Sequence, residues 1–450
     1  MTPEKPRSPL LKGLPEVSRR QLLKGAGAAA GFAAFPALLA ACGDDEVATT
    51  TTAGGGGAPS GTLSIGSNAS DELTKNAYGA AFDSFAANSG VELAINTVDH
   101  NTFQQQINTY LQGQPDDVFT WFAGFRMRFF AEKGLATPFS DVWDDSLNAN
   151  YSEAFKLAST GNDGEQYFVP FIFYPWAIFY RKSIFADKGY TIPKTLAELL
   201  DLCKAMEADG ITPFAFGNDG GWPAMGTFDY LNLRTNGYQF HVDLMAGNES
   251  WESDEVKQVF ATYAELLPYH QSAALARTWQ DATIAMANGT AGMHLLGLFL
   301  GDALIDLPDE RADMDFFPFP EINPDFGQES VEAPIDGFMI SKEPKNIDAA
   351  KALMAYLGTG EAQNNYTKVN PNWLATANDA DTSIYTPLQD KALELIGSAS
   401  NIAQFLDRDT DPGFASEVVG VALTEFINNP SDIDSILTSV EAQKGGYLDV

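Results

Sequence analysis

The stretch Gln166-Tyr-Phe-Val-Pro-Phe-Ile-Phe-Tyr-Pro-Trp-Ala-Ile-Phe-Tyr180 is an apolar run that contains two prolines, Pro170 and Pro175. Proline lacks a backbone N–H donor and fixes φ, so two of them are incompatible with one continuous helix or one central strand. We therefore predict that the chain changes direction near Phe173 to Trp176. The stretch would then separate two structural units.

Strand and helix patterns alternate on both sides of this stretch. Before it, Thr62 to Gly66 alternates like a strand, and apolar residues then recur at helical spacing from Leu73 to Phe85. After it, Pro193 to Ala208 has a helical pattern, and Thr290 to Gly297 has the pattern of a buried strand. This alternation predicts an α/β fold, with a doubly wound unit and a mostly parallel sheet before the stretch and a second α/β series after it.

Two loops that follow predicted strands are candidates for a ligand site. They are Ser67 to Glu72 and Trp121 to Gly124. Because ligands of open α/β sheets bind beyond the carboxyl ends of the strands, we expect both loops at one mouth. Further along, Glu332 to Ser341 reads as a strand that leads into a helix from Ile347 to Leu357, with Asn346 or Asp348 as its cap.

Residues 1–41 have the layout of an export signal that ends before a cysteine. A basic region, Ser18-Arg-Arg-Gln-Leu-Leu-Lys24, is followed by an Ala-rich apolar segment, Gly25 to Ala41. This layout is typical of secretory signals, and the paired arginines indicate the twin-arginine type. The ending Leu39-Ala-Ala-Cys42 also resembles a bacterial lipoprotein box, which implies lipidation of Cys42. The alternative, a permanent transmembrane helix, needs ~20 strongly apolar residues, more than this segment supplies.

Residues 42–60 form a predicted tether between the lipid on Cys42 and the folded body. The segment 43–60 is rich in Gly and Thr and has no apolar periodicity. Such a composition is typical of flexible linkers. We therefore predict a protein anchored to the outer face of the cell membrane.

Charge and cysteine content restrict the function further. The 450 residues include 60 acidic and 27 basic ones, so the formal net charge is −33. This charge disfavours nucleic acid and anionic lipid headgroups as partners.

Apart from Cys42, the one cysteine is Cys203, on the apolar face of a helical pattern. We expect it to be a lone buried thiol, so stability must come from packing rather than from disulfides.

Several short motifs, weak one by one, are specific in their order and spacing. They are Pro115-Asp-Asp-Val118, Gly164-Glu-Gln-Tyr-Phe-Val-Pro170, Phe179-Tyr-Arg-Lys-Ser-Ile-Phe185, Pro193-Lys-Thr-Leu-Ala-Glu-Leu199, Gly210-Ile-Thr-Pro-Phe214, Met286-Ala-Asn-Gly-Thr-Ala-Gly-Met293 and Ala349-Ala-Lys-Ala-Leu-Met-Ala-Tyr-Leu357. Together they resemble the solute-binding proteins of bacterial ATP-binding-cassette importers, specifically the sugar-binding group that includes maltose- and glucose-binding proteins. The resemblance runs from about Gly61 to the end of the chain.

This resemblance implies two α/β lobes, of the periplasmic-binding-protein type II arrangement, that close over a ligand in the cleft between them. Crossing segments would lie near Phe173 to Trp176, near Ile335 to Gly337 and near residues 375–385. Lobe 1 would comprise 61–173 with 337–380, and lobe 2 would comprise 176–335 with 381–450. The partners implied are a sugar and the permease subunits of an importer, and the protein would act as a monomer.

A sugar offers apolar C–H faces and a rim of hydroxyls, so its site needs flat aromatic rings and fixed polar groups. The predicted ligand-binding residues are Glu72, Trp121, Trp222, Trp279, Phe299, Asp336, Asn372, Trp373 and Arg408. For each tryptophan the alternative is core packing. For Glu72 it is a helix first-turn charge, and for Arg408 it is a surface pair with a neighbouring aspartate. Trp176 stands at the expected hinge, whereas Trp143 and Trp251 are interpreted as structural.

The chain departs from glucose-binding relatives at two places. Those relatives often carry tandem tryptophans where this chain has Ser67-Asn-Ala69. They also have Gly-Asp-Trp after the Met293 strand, where this chain has Gly297-Leu-Phe299. Phe299 can still stack on a ligand, but an acidic acceptor for hydroxyls is expected to be lost. The identity of the ligand therefore stays open.

Other classes of function have less support in the sequence. An extracytoplasmic glycosidase remains an alternative, because paired carboxylates cannot be excluded in so acidic a chain. Gly-x-Ser-x-Gly, His-Glu-x-x-His and phosphate-binding glycine motifs are all missing. The four histidines are scattered, which argues against zinc. We therefore expect no enzymatic activity, no metal and no cofactor, and a binding protein for another kind of solute is the second alternative.

Overall fold

The computed structural model describes residues 59–448. The predicted signal, the lipidation site Cys42 and nearly all of the 42–60 tether lie outside these residues. Within residues 59–448, no helix is both long and apolar enough to cross a membrane.

Thirteen strands are present in the described part of the chain. They are β1 (Thr62–Ser67), β2 (Glu92–Thr97), β3 (Val118–Phe122), β4 (Ala136–Thr137), β5 (Val169–Phe173), β6 (Trp176–Arg181), β7 (Thr212–Phe214), β8 (Ala291–Gly297), β9 (Met314–Phe317), β10 (Ser330–Glu332), β11 (Ile335–Ser341), β12 (Leu374–Ala375) and β13 (Asn401–Ala403).

The α-helices surround these strands. They are α1 (Glu72–Ser89), α2 (His100–Gln112), α3 (Phe125–Glu132), α4 (Ser140–Asp145), α5 (Glu153–Ala158), α6 (Lys182–Lys188), α7 (Leu196–Ala208), α8 (Pro223–Met245), α9 (Asp254–Leu266), α10 (Trp279–Ala287), α11 (Pro308–Asp313), α12 (Ile347–Leu357), α13 (Gly360–Val369), α14 (Pro387–Ser398), α15 (Leu406–Asp409), α16 (Gly420–Asn428) and α17 (Ile433–Lys444). A short π-helix, Phe414–Val419, precedes α16. Asn346 caps α12 by accepting a hydrogen bond from the backbone of Ala349, which confirms one of the two predicted caps.

The larger sheet has the strand order β12-β5-β11-β3-β1-β2, and β4 pairs with β11. The strands β1, β2 and β3 run parallel, as expected from βαβ units. In contrast, β11 runs antiparallel to β3, β4 and β5, and β12 runs antiparallel to β5. The prediction of a mostly parallel sheet is therefore wrong beyond the first three strands. The reason is that β11 belongs to a segment that returns from the other sheet and enters this one from the opposite end.

The smaller sheet has the order β7-β8-β6-β9. Strand β6 is antiparallel to both of its neighbours, and β7 is parallel to β8. Strand β5 of the larger sheet ends at Phe173 and β6 of the smaller sheet begins at Trp176, so the chain passes between sheets at Tyr174 and Pro175. This confirms the change of direction predicted from the two prolines. The fold is thus mixed α/β with two lobes.

The lobe boundaries stay a prediction. Near them, the chain crosses between the two sheets at two later points. β11 begins in the larger sheet at Ile335, after β9 of the smaller sheet. After β12, helix α14 lies against the smaller sheet, where Lys391 binds Asp315 with an Nζ to Oδ1 distance of 2.5 Å. Trp143 and Trp251 are fully buried, in keeping with a structural role.

Candidate functional site

The site lies where the two sheets face each other. The carboxyl ends of β1 and β3 meet the start of β11 at one edge of the larger sheet, since Asp336 pairs with Phe122 across the two strands. The start of β6 and the segments after β7 and β8 of the smaller sheet face this edge, since Trp176 pairs with Gly297 at the end of β8. A cavity between them is lined by Phe122 and Asp336 from one side and by Trp222, Trp279 and Phe299 from the other.

Aromatic rings form nearly half of the cavity lining. They include Tyr174, Trp176, Trp222, Trp279, Phe299 and Trp373. The rings of Phe299 and Trp373 are stacked, with centroids 5.9 Å apart and an interplanar angle of 28°. Trp279 meets Phe299 edge to face at 5.2 Å. Local structure fixes these rings, because Trp279 starts α10 behind the cap Thr278 and Trp222 directly precedes α8. The wall therefore offers flat apolar surfaces in fixed orientations.

Asp302 supplies a carboxylate to the same cavity. It accepts hydrogen bonds from Thr74 Oγ1 at 2.6 Å, Asn372 Nδ2 at 2.8 Å and Trp373 Nε1 at 3.1 Å. Burial raises the pKa of Asp302 to about 6, although these hydrogen bonds act in the opposite direction. At the position where glucose-binding relatives carry an aspartate after this strand, the chain has Leu298, as stated above. Asp302 lies four residues further along the same segment, and no pattern in the sequence singled it out.

A second polar group is centred on Arg408. Its Nη1 donates to Asp336 Oδ1 at 2.7 Å and to the carbonyl of Ile335 at 3.2 Å, and its Nη2 donates to the hydroxyl of Tyr174 at 3.2 Å. The guanidinium carbon lies 4.2 Å from the ring centroid of Phe122. Arg408 is buried and paired with Asp336, so the alternative of a solvated surface pair does not apply. Burial raises the pKa of Asp336, while the charge of Arg408 opposes that shift.

A neutral histidine completes this side of the cavity. Burial, followed by the charges of Arg408 and Arg126, lowers the pKa of His100 to about 4. Gln104 Oε1 accepts from Arg126 Nη1 at 2.7 Å, so its amide nitrogen is left to donate to His100 Nε2 at 2.7 Å. This pattern assigns the proton of the neutral ring to Nδ1. His100 therefore lines the cavity as a neutral ring that is held by Gln104.

Phe405 also lines the cavity, in a strained backbone conformation. Its φ is 141°, in a region that favours glycine. Asp229 holds the adjoining peptide by accepting from the backbone of Leu406 at 2.7 Å, and Asp409 accepts from the backbone of Gln404 at 3.0 Å. Strain of this kind, worth ~1–3 kcal/mol, persists where surrounding contacts enforce it and is concentrated at functional sites.

Six of the predicted ligand-binding residues come together in this cavity. They are Trp222, Trp279, Phe299, Asp336, Trp373 and Arg408. The residues that line it without having been predicted include Asp71, His100, Gln104, Arg126, Asp302 and Asp407.

The other three predicted residues lie outside the cavity lining. Glu72 is exposed in the first turn of α1, and the preceding residue, Asp71, lines the cavity instead. Trp121 is buried, and its Nε1 donates to the carbonyl of Arg126. It does not line the cavity because successive strand residues point to opposite faces, and Phe122 lies on the cavity face. Asn372 lies behind the wall and orients Asp302.

Two α/β lobes that face each other across a cavity are the arrangement by which solute-binding proteins hold a ligand between their lobes. The chain belongs to the family of bacterial extracellular solute-binding proteins, whose family model matches residues 66–364. Its similarity extends to sugar-binding receptors of ATP-binding-cassette importers.

Curated relatives are distant. An uncharacterized ABC transporter extracellular-binding protein of Pyrococcus horikoshii is 25% identical over 64% of this chain and 64% of its own length. The alpha-glucosides-binding periplasmic protein AglE of Rhizobium meliloti is 33% identical over 34% of this chain and 35% of its own length. The matched part thus spans less than two thirds of either relative.

Solved structures match over more of the chain. The bacterial solute receptor AcbH, described as having an exclusive substrate preference for β-D-galactopyranose, is 40% identical with a TM-score of 0.84, over 86% of this chain and 99% of that one. Maltose-bound MalE3 of T. maritima is 16% identical with a TM-score of 0.70, over 86% of this chain and 99% of that one. The second match shows a shared fold only.

Proposed function

We propose that this protein is the substrate-binding component of an ATP-binding-cassette importer and that it captures a sugar in the cavity between its lobes. The observation that carries the proposal is the combination of stacked aromatic rings with buried hydrogen-bonding groups around one cavity. The homologues of the chain are binding proteins rather than enzymes, and this supports a receptor over the glycosidase alternative.

The chemistry of the wall suits a pyranose. The apolar C–H face of a sugar ring packs on the flat rings of Trp279, Phe299 and Trp373. The carboxylate oxygens of Asp302 and Asp336 accept hydrogen bonds from hydroxyls, and the Arg408 guanidinium donates to them. Because all of these groups are shielded from water, each bond made with a hydroxyl counts more than it would on the surface.

The sugar proposed for the first test is β-D-galactopyranose. AcbH, which is described as preferring it, shares 40% of its sequence with this chain over nearly the whole AcbH structure. Other sugars, including oligosaccharides, are the alternatives within the same proposal.

Binding would be coupled to closure of the lobes. Asp302 accepts from Thr74, Gln280 Nε2 donates to Asp71 Oδ1 at 3.2 Å, and Trp222 Nε1 donates to Asn101 Oδ1 at 3.4 Å. In each pair one residue comes from the part assigned to lobe 1 and the other from lobe 2. A ligand that touches both lobes stabilises the closed state, and the permease would recognise that state.

The test is a titration with sugars by isothermal calorimetry, together with thermal unfolding. At ~100 times its dissociation constant a ligand adds about 2.7 kcal/mol of stability, which raises the unfolding midpoint. We expect heat and a raised midpoint with β-D-galactopyranose or a related sugar, and weaker binding for Trp279→Ala, with Trp279→Phe retaining part of the affinity. Turnover of a labelled disaccharide, or a raised midpoint with amino acids but with none of the sugars, would contradict the proposal.

We further propose that the chain is exported by the twin-arginine route and anchored through lipid on Cys42. The supporting observation is the sequence Ser18-Arg-Arg20 together with Leu39-Ala-Ala-Cys42. We expect Cys42→Ser to move the protein from the membrane fraction to the soluble extracytoplasmic fraction of producing cells. A wild-type protein that is already soluble in such cells would count against the anchor.

A further inference from the structure

A hydrogen-bonded series closes one end of the cavity. His100 binds Gln104, Gln104 binds Arg126, and Arg126 Nη1 binds Asp407 Oδ2 at 3.0 Å. The Arg126 guanidinium carbon also lies 4.9 Å from the ring centroids of both Trp121 and Phe122. Each member of the series is held by its neighbours, so the series acts as a fixed wall rather than as a set of mobile side chains.

A much larger groove lies on the other side of this wall. The cavity has a volume of about 90 Å³, whereas the groove has a volume of about 870 Å³. Gln104, Arg126, Trp222 and Asp407 line both spaces. These four residues therefore form the partition between the cavity and the groove.

The groove has features of a surface that could hold part of a ligand. Val421 is 56% exposed and Tyr447 is 36% exposed, and both line it. The π-helix Phe414–Val419 contributes Ser416 and Glu417 to the same surface, and π-helical turns are frequent at functional sites. A second sugar unit would find apolar and hydrogen-bonding partners there if the partition were open.

We propose that the partition formed by Gln104, Arg126, Trp222 and Asp407 limits the ligand to a single sugar ring, so that the receptor selects monosaccharides over disaccharides. The proposal rests on the proposed sugar-binding function. The cavity, at about 90 Å³, has roughly a tenth of the volume of the groove, at about 870 Å³, and the partition separates the two. A second ring would have to occupy the place of the Gln104 amide or the Arg126 guanidinium.

Gln104 is the member of the partition whose removal tests this best. It lies on α2 and is partly exposed, and its side chain bridges His100 and Arg126. Replacement by Ala leaves the bond between Arg126 and Asp407 in place and suits a helix. The variants Gln104→Ala and Gln104→Ser both shorten the side chain and open a passage from the cavity to the groove.

The experiment compares β-D-galactopyranose with galactosyl-galactose disaccharides of differing linkage, by calorimetry on the whole protein. Gln105→Ala is the matched control, since Gln105 lies next in sequence and lines the groove but not the cavity. We expect the wild type and the control to bind the monosaccharide and to reject every disaccharide. We expect the ratio of disaccharide to monosaccharide affinity to rise at least tenfold in Gln104→Ala and in Gln104→Ser, for one linkage or more.

Two results would overturn the inference. One is a wild type that binds a disaccharide as tightly as the monosaccharide. The other is a ratio of disaccharide to monosaccharide affinity that is unchanged in both Gln104 variants, provided that these variants bind the monosaccharide and unfold at the same midpoint as the control. A wild type that binds no sugar of either size would contradict the proposed function instead, so the two failures are distinguishable.

Discussion

At the scale of single residues, several hydrogen bonds of the cavity wall meet at the carboxylate of Asp302. Three donors converge on its two oxygens, and only 6% of its surface is exposed. We expect Asp302→Asn to weaken sugar binding by ten- to a hundredfold, because the amide nitrogen would face a donor and leave a buried N–H unpaired, at a cost of ~1–3 kcal/mol. Calorimetry with the best-bound sugar checks this. Asp306→Asn, on an exposed residue of the same segment, is the control and should bind like the wild type.

At the scale of elements, a buried acidic cluster joins α8, β10 and α15. Burial raises the pKa of Asp229 on α8 to about 7, and burial with the neighbouring Asp229 raises the pKa of Glu332 on β10 well above its usual range. His241 on α8 contacts Asp409 on α15, with an Nε2 to Oδ2 distance of 3.5 Å. Burial lowers the pKa of His241, but the close carboxylates of Asp409 and Asp229 outweigh burial and raise the pKa. Both acids therefore hold protons in the folded state that they release on unfolding.

The sign of the pH dependence follows from these shifts. An acid whose folded pKa is raised lowers the free energy of unfolding as pH rises from its unfolded pKa, near 4, towards its folded one. We expect Glu332→Gln to remove the contribution of about one proton. The free energy of unfolding of the variant minus that of the wild type should therefore rise by up to ~1.4 kcal/mol per pH unit between pH 5 and 7. Urea unfolding at both pH values measures it. A difference between the two proteins that stays constant with pH would contradict this assignment.

At the scale of the whole molecule, hydrogen bonds link the lobes around the cavity at Thr74, Asn101 and Asp71. These bonds can form only when the lobes are together, whereas entry of a sugar requires them apart. We expect small-angle X-ray scattering to give a smaller radius of gyration with a bound sugar than without one, since a ligand held by both lobes favours the closed state. The same scattering curve in both conditions, at saturating sugar, would show that binding is not coupled to closure.

The sequence by itself determined the class of fold and the order of its parts. Pro170 and Pro175 mark the passage from one sheet to the other, and the apolar periodicity of Ile347–Leu357 matches α12 to the residue. Such features are local, because proline geometry and helical periodicity act over a few neighbouring residues. The family could be recognised for the same reason, since its motifs are short and lie in a fixed order.

The tertiary structure decided which side chains share the cavity. Asp302 accepts a hydrogen bond from Thr74, although the two residues are separated in sequence by more than half of the described chain. No local sequence pattern predicts this contact. Two predicted site residues are one position away from residues that line the cavity: Asp71 lines it instead of Glu72, and in β3 Phe122 lines it instead of Trp121. The reason is physical: side-chain direction changes completely from one residue to the next, while convergence depends on how distant segments pack.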